Sequence, residues 1–153
     1  MGKKIIIAAA FLAFAFMGGG QAQPLQLGCA GGTAAALGVL DEFMAGFNAR
    51  DYARWLGTYH FPHVRIAGGT VSTYETIAEH PRDVFERLAE AGWARSAWDS
   101  RRIVQCTADK VHVAVKFTRY DAEGVAIQTY DSLYVITKVG EKWGVRARSS
   151  FAP

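Results

Sequence analysis

VHVAVKFTRYDAEGVAIQTYDSLYVITKVGEKWGVRARSSF, residues 111–151, decides the fold. It holds three runs, 111–120, 126–139 and 142–151, in which side chains alternate with the period of an extended chain. The links at 121–124 and 140–141 are short turn sequences carrying Gly124 and Gly140. Consecutive strands joined so tightly lie antiparallel, as a meander. A fourth run, 98–107, joins them through Ala108, Asp109 and Lys110.

Period two sorts the faces. Val111, Val113, Val115 and Phe117 share one face, with Arg119 at its end. His112, Ala114, Lys116, Thr118 and Tyr120 share the other. Tyr130, Ser132, Tyr134 and Ile136 oppose Thr129, Asp131, Leu133 and Val135, and this run is apolar enough on both sides to be central. In the last run, strict alternation sets Trp143, Val145, Ala147, Ser149 and Phe151 against Gly144, Arg146, Arg148 and Ser150. On that reading Arg146 and Arg148, with Lys116, Arg101 and Asp99, form a solvated or dimer-facing surface.

Upstream the period changes to that of a helix. Leu37, Leu40, Phe43, Met44 and Phe47 recur at helical spacing, with Thr33 as the N-cap. A short second helix after Asp51 turns Tyr52, Trp55, Leu56 and Tyr59 one way, and His60 caps its end. Phe61-Pro62 stops it, because the residue before proline avoids helical backbone. His63 to Ile66 then alternates as a strand, and Gly68-Gly69 turns it back through Thr70. A third helix runs from Pro81 to Glu90 or Ala91, ending at Gly92. The fold class is α+β: three N-terminal helices packed on a strongly curved antiparallel sheet.

The chain opens with Lys3-Lys4 and an apolar run from Ile5 to Met17. Thirteen helical residues reach roughly 20 Å, short of the ~30 Å bilayer core. A basic start, this run and the small residues Gly20 and Ala22 match a signal peptide over residues 1–22, cut before Gln23. The protein is therefore expected to be exported, periplasmic or secreted, with no membrane span after cleavage. Residues 23–32 form a flexible lead-in and 33–153 one domain. Losing the leader leaves 15 basic residues against 14 acidic ones, so the net charge falls from +3 to +1. No basic cluster tracks with exposed aromatics, which argues against nucleic acid. An oxidising compartment allows a Cys29–Cys106 disulfide, but one pair carries no framework signature, and a free, buried Cys106 is the favoured reading.

Three stretches carry a family resemblance: FNARDYARWLGTYHFPHVRIAGG (47–69), GWARSAWDSRR (92–102) and the closing FTRYDAEGVAIQTYDSLYVITKVGEKWGVRARSSFAP (117–153). With the order of elements, they resemble the nuclear transport factor 2-like superfamily, the cone-shaped α+β barrel of SnoaL-like polyketide cyclases. The resemblance implies a pocket inside the cone, while the fold itself hosts isomerases, dehydratases, hydrolases and binding modules alike. The Asp, Tyr and protonated Asp of ketosteroid isomerases are not placed here, since Asp99 and Asp131 fall on the polar face. Against the histidine, carboxylate and tyrosines of scytalone dehydratase-like chemistry, His63 with Tyr130 is a partial match.

In the implied cone, His63 and Arg65 share a strand face on the pocket wall. His63 is the candidate acid/base or hydrogen-bond donor, and Arg65 the holder of a carboxylate, phenolate or enolate oxygen. The plainer alternative has His63 satisfying backbone groups and Arg65 pairing with an acid at the rim. Trp98 with Ser100, and Tyr130 with Ser132, supply the rings and sparse hydroxyls of an apolar pocket, or ordinary core. His60 and His63 form H-x-x-H, yet no further ligand stands at diagnostic spacing, so neither metal nor cofactor is expected. Nucleophile-elbow, phosphate-loop and dinucleotide motifs are missing. The expected function is binding of a small, mostly apolar molecule. Cofactor-independent isomerisation, cyclisation or dehydration through His63 is the catalytic version. The alternative is a non-catalytic interaction module that forms a homodimer through its sheet.

Overall fold

The computed structural model describes residue 29 and residues 31–153. The signal peptide assigned to 1–22 and most of the lead-in assigned to 23–32 lie outside the described residues. The elements run α1 (Gly32–Asn48), α2 (Tyr52–Gly57), β1 (Tyr59–Ala67), β2 (Thr70–Tyr74), α3 (Val84–Glu90), β3 (Arg95–Cys106), β4 (Lys110–Tyr120), β5 (Ala126–Val139) and β6 (Lys142–Ser150). A 3-10 turn, Ile77–Glu79, leads from β2 towards α3.

The six strands form one sheet in the order β2-β1-β6-β5-β4-β3. The meander over β3, β4, β5 and β6 is antiparallel throughout. The expectation of a wholly antiparallel sheet is corrected at one place: β1 pairs with β6 in parallel. Parallel neighbours need a long crossover, and everything from β2 to β5 supplies it. Alternation within a strand reports which way side chains point, not which distant strand lies alongside.

The helices keep the order read along the chain, but the label of three N-terminal helices is corrected to two. Only α1 and α2 precede the sheet; α3 follows the β1–β2 hairpin and begins at Val84 rather than Pro81. His60 caps nothing, because β1 already starts at Tyr59 and Thr58 closes α2. Asp51 caps α2, its side chain accepting from the Arg54 amide at 2.9 Å. The β1–β6 register shifts between Tyr59 and Val64, around Pro62, which has no N–H to give a ladder.

The core lies between the helices and the concave face of the sheet. Phe43 is its hub, with its ring 5.5–6.2 Å from those of Phe47, Trp55, Tyr59, Trp98 and Tyr134. Beneath it, Val111, Val113, Val115 and Phe117 are buried along β4, as the alternation requires. Two glycines allow close approaches. A Cβ at Gly46 would stand 2.8 Å from the Trp55 backbone nitrogen, where α1 meets α2, and one at Gly144 would strike the His60 ring.

The reading of Cys106 as a free thiol is overturned: it is bonded to Cys29, with Cα atoms 5.5 Å apart. The end of β3 runs beside the start of α1, where a Cβ on Gly32 would stand 3.5 Å from the Thr107 carbonyl oxygen. Proximity of two remote segments made this pair, and spacing of 77 residues along the chain carried no sign of it.

Candidate functional site

Between α1, α3 and the concave sheet face lies a cavity of about 270 Å³. Its body is aromatic, with Phe43, Phe47, Trp55, Trp98 and Phe117 among its walls. Four arginines line it: Arg87 of α3, which pairs with Asp83 at 3.1 Å, and three from strands, Arg65 of β1, Arg119 of β4 and Arg148 of β6. Arg65 and Arg148 stand directly opposite each other in the β1–β6 ladder, and Arg148 stands opposite Tyr134 in the β6–β5 ladder.

Like charges facing across neighbouring strands repel, so a partner is to be looked for. Among the described residues the ion pairs use Arg54, Arg87, Arg101, Lys116 and Lys138 as cations, never these three. The lining contains no Asp or Glu. Arg65 reaches the Ala152 carbonyl at 3.4 Å, and Arg148 the Tyr134 hydroxyl at 3.5 Å, both at the limit of a hydrogen bond. The Nε atoms of Arg119 and Arg148 are buried with no partner. Arg119 lies over the Tyr130 ring, 5.0 Å from its centre. Burial first, and then the charge of Arg148, weaken the hold of Arg65 on its proton. Guanidinium groups nevertheless stay charged in proteins. Burial pushes the Tyr59 and Tyr134 hydroxyls up, keeping them protonated.

His80 also lines the cavity. The Tyr52 hydroxyl donates to the His80 carbonyl at 2.8 Å and stands 3.1 Å from Nδ1, with the Pro81 carbonyl 3.3 Å from the same nitrogen. Two acceptors at Nδ1 place the ring proton there and leave the lone pair on Nε2. Burial pushes the His80 pKa down to about 4, so the ring is neutral near pH 7.

Of the residues singled out from the sequence, Arg65 and Trp98 line the cavity. His63 does not line it. It is 1% exposed, its ring stacks on Tyr59 with centres 4.2 Å apart, and its Nδ1 donates to the Val145 carbonyl at 3.2 Å. Burial pushes it down to about 4 as well. Tyr130 stands behind Phe117 and under Arg119, and the Ser132 hydroxyl donates to that of Ser150 at 2.7 Å. Neither contributes to the lining. Ser100 is corrected to an exposed position, because a register shift between Trp98 and Ser100 breaks their shared face. The histidines of H-x-x-H do not converge: His60 meets Thr137 instead, at 3.1 Å.

Arg148, assigned by alternation to the outer surface, turns inward. The β5–β6 register runs from Val135–Ala147 to Ile136–Val145, so Arg146 is the extra residue of a bulge, and the faces of β6 exchange beyond it. Strict alternation cannot see such an insertion. Arg119 was legible at the end of the apolar face of β4, whereas Tyr134 was placed on a face of β5 without being singled out, and His80 sits in a loop with no period.

A family model described as NTF2-like protein (DUF6841) matches residues 36–150. No curated protein matches the chain. Similar solved structures include a protein of unknown function with a cystatin-like fold from Nostoc punctiforme (TM-score 0.63, 14% identity, 77% of this chain and 88% of that one). Another is an NTF2-like protein of unknown function from Shewanella oneidensis (TM-score 0.62, 13% identity, 78% and 98%). A third is a ketosteroid isomerase-like protein from Erwinia carotovora atroseptica (TM-score 0.57, 20% identity, 78% and 96%). At such identities the likeness concerns the fold.

Proposed function

Because this chain belongs to the NTF2-like family DUF6841, we propose that it binds a small, mostly apolar molecule inside its cone. The observation that carries this reading is the aromatic cavity of about 270 Å³ between helices and sheet. A space walled by rings with a few convergent polar groups is the usual form of a small-molecule site. Binding is favoured over proton transfer. His63, the sequence candidate for acid/base, is packed behind the wall, and a histidine with a pKa near 4, such as His80, is a weak base at neutral pH.

A thermal-shift screen of the purified protein against planar apolar acids, phenols, steroids and polyketides tests the reading. A ligand at a hundred times its Kd adds about 2.7 kcal/mol of stability, which raises the melting point visibly. Silence across the panel would defeat the proposal.

One observation favours the second reading, a module that pairs through its sheet. Val64 and Ile66 of β1, Ala147 of β6 and Leu133 and Val135 of β5 share the outer face in adjacent registers, and Ile66 and Leu133 remain 39% and 37% exposed. Sedimentation velocity on the same samples decides it: a monomer at micromolar concentration removes the dimer.

Export belongs to the same proposal. It is supported by the leader-like residues 1–22 and by the Cys29–Cys106 bond, since disulfides persist in oxidising compartments. Among the described residues no helix is long and apolar enough to cross a membrane. An intact mass that begins at Met1 in protein made by an exporting host would count against it.

A further inference from the structure

We propose that the ligand is an organic carboxylate, its acid head held among Arg65, Arg119 and Arg148 and its apolar body against the aromatic wall. This rests on the reading of the cone as a ligand pocket and names the class of molecule it takes. Three guanidinium groups, two of them registered face to face across a ladder, share one cavity whose lining has no carboxylate side chain. Pro153 lines the cavity too, but makes no ion pair with them among the described residues. Structural arginines in such a setting are ordinarily paired, because removing an unpaired charge from water is costly. Here the contacts are two hydrogen bonds at 3.4 and 3.5 Å and two ring faces, Tyr130 for Arg119 and Tyr134 for Arg148, and two Nε–H donors are buried unused.

The other polar groups nearby are hydroxyls. Tyr134 stands opposite Arg148 in the ladder, and Tyr59 and Tyr74 also line the cavity. Arginine only donates, and a protonated tyrosine is free to donate. The chemistry that satisfies such a set is an acceptor-only, ionised head. A carboxylate matches the forked guanidinium geometry and accepts from several donors at once. A doubly charged phosphate would bring a larger dehydration cost into a mostly aromatic wall. The volume and the rings set the rest of the molecule, a flat or compact hydrocarbon body of one or two rings.

The arginines should carry a signature of this purpose in the unliganded protein. Replacing one arginine by methionine relieves repulsion, so it should raise the melting point of the unliganded protein while it lowers affinity for acids. An arginine whose role is structural would show the opposite sign in the first measurement.

The test is isothermal titration calorimetry with matched pairs: benzoate and benzamide, 2-naphthoate and 2-naphthamide, with acetate and phenylphosphonate as further arms. The proteins are the native chain, Arg119→Met, Arg148→Met and, as a control, Arg102→Met, an exposed β3 residue outside the cavity. We expect an aryl carboxylate to bind at least about tenfold tighter than its amide, the size of one charge-assisted hydrogen bond. Arg119→Met and Arg148→Met should each erase about that factor for the acid and leave the amide unchanged. If Arg148→Met fails to fold, Arg119→Met decides alone. Equal binding of acid and amide, or undiminished acid affinity in Arg119→Met, overturns the carboxylate and leaves the pocket standing. Phenylphosphonate outbinding benzoate overturns the choice of head group. No heat from either member of any pair at millimolar concentration overturns the pocket as well.

Discussion

His63 and His80 show how burial sets the behaviour of single residues. Both are held near a pKa of 4 against an ordinary 6.5, with desolvation as the first cause and nearby arginines adding to it. Their folded pKa lies below the unfolded one, so between about pH 6.5 and 4 the unfolded chain binds more protons, and stability falls as pH falls. At pH 5 each histidine should cost about 2 kcal/mol relative to pH 7.5, from the difference between these pKa values. Urea midpoints at the two pH values measure the loss, and a His63→Gln/His80→Gln variant should flatten the difference. A midpoint that does not move with pH would show that the two rings are not held neutral. The candidate residues divide for equally local reasons. Arg65 and Trp98 reached the cavity because alternation holds where they stand. Ser100 and Arg148 were misassigned because a single inserted residue shifts every side chain beyond it to the other face.

Among the elements, α1 and α2 meet at a contact with no spare room. A Cβ at Gly46 would stand 2.8 Å from the Trp55 nitrogen and 3.0 Å from its Cα, both backbone atoms that do not move aside. Gly46→Ala gains about 1 kcal/mol of helix propensity, but overpacking costs about 1–3 kcal/mol. We expect a net loss of up to about 2 kcal/mol on these figures, read from the urea midpoint at pH 7.5. A variant more stable than the native chain would mean that the helices separate without penalty. The strands of the meander were read correctly as elements, though the bulges in β3 and β6 were not, and the turns were read correctly because Gly68, Gly92, Gly124 and Gly140 all adopt the positive φ their positions need. The start of α3 was misread because Pro81 is a good first residue of a helix, yet Asp83 takes the N-cap place here.

For the whole molecule, the Cys29–Cys106 bond ties the start of α1 to the end of β3 and closes a loop of 77 residues. Chain entropy alone assigns such a closure about 4 kcal/mol, and native disulfides return about 2–5 kcal/mol when removed. Cys106→Ser should lose about 2–4 kcal/mol on that scale, with the native chain in reductant falling to the same midpoint. Identical midpoints with and without reductant would show that the bond does not constrain the unfolded chain. The same closure holds α1 over the sheet, and with it Phe43 and the roof of the cavity.

The sequence by itself determined the α+β class, the four-strand meander and the buried face of β4. These depend on local period and turn chemistry, which neighbours along the chain specify. Only the tertiary structure decided the parallel β1–β6 pair, the disulfide, the exclusion of His63 from the cavity and the convergence of Arg65, Arg119 and Arg148. Each of those is a meeting of segments far apart in the chain. The register of one strand on another, and one bulge in β6, turn an arginine from the surface into the site.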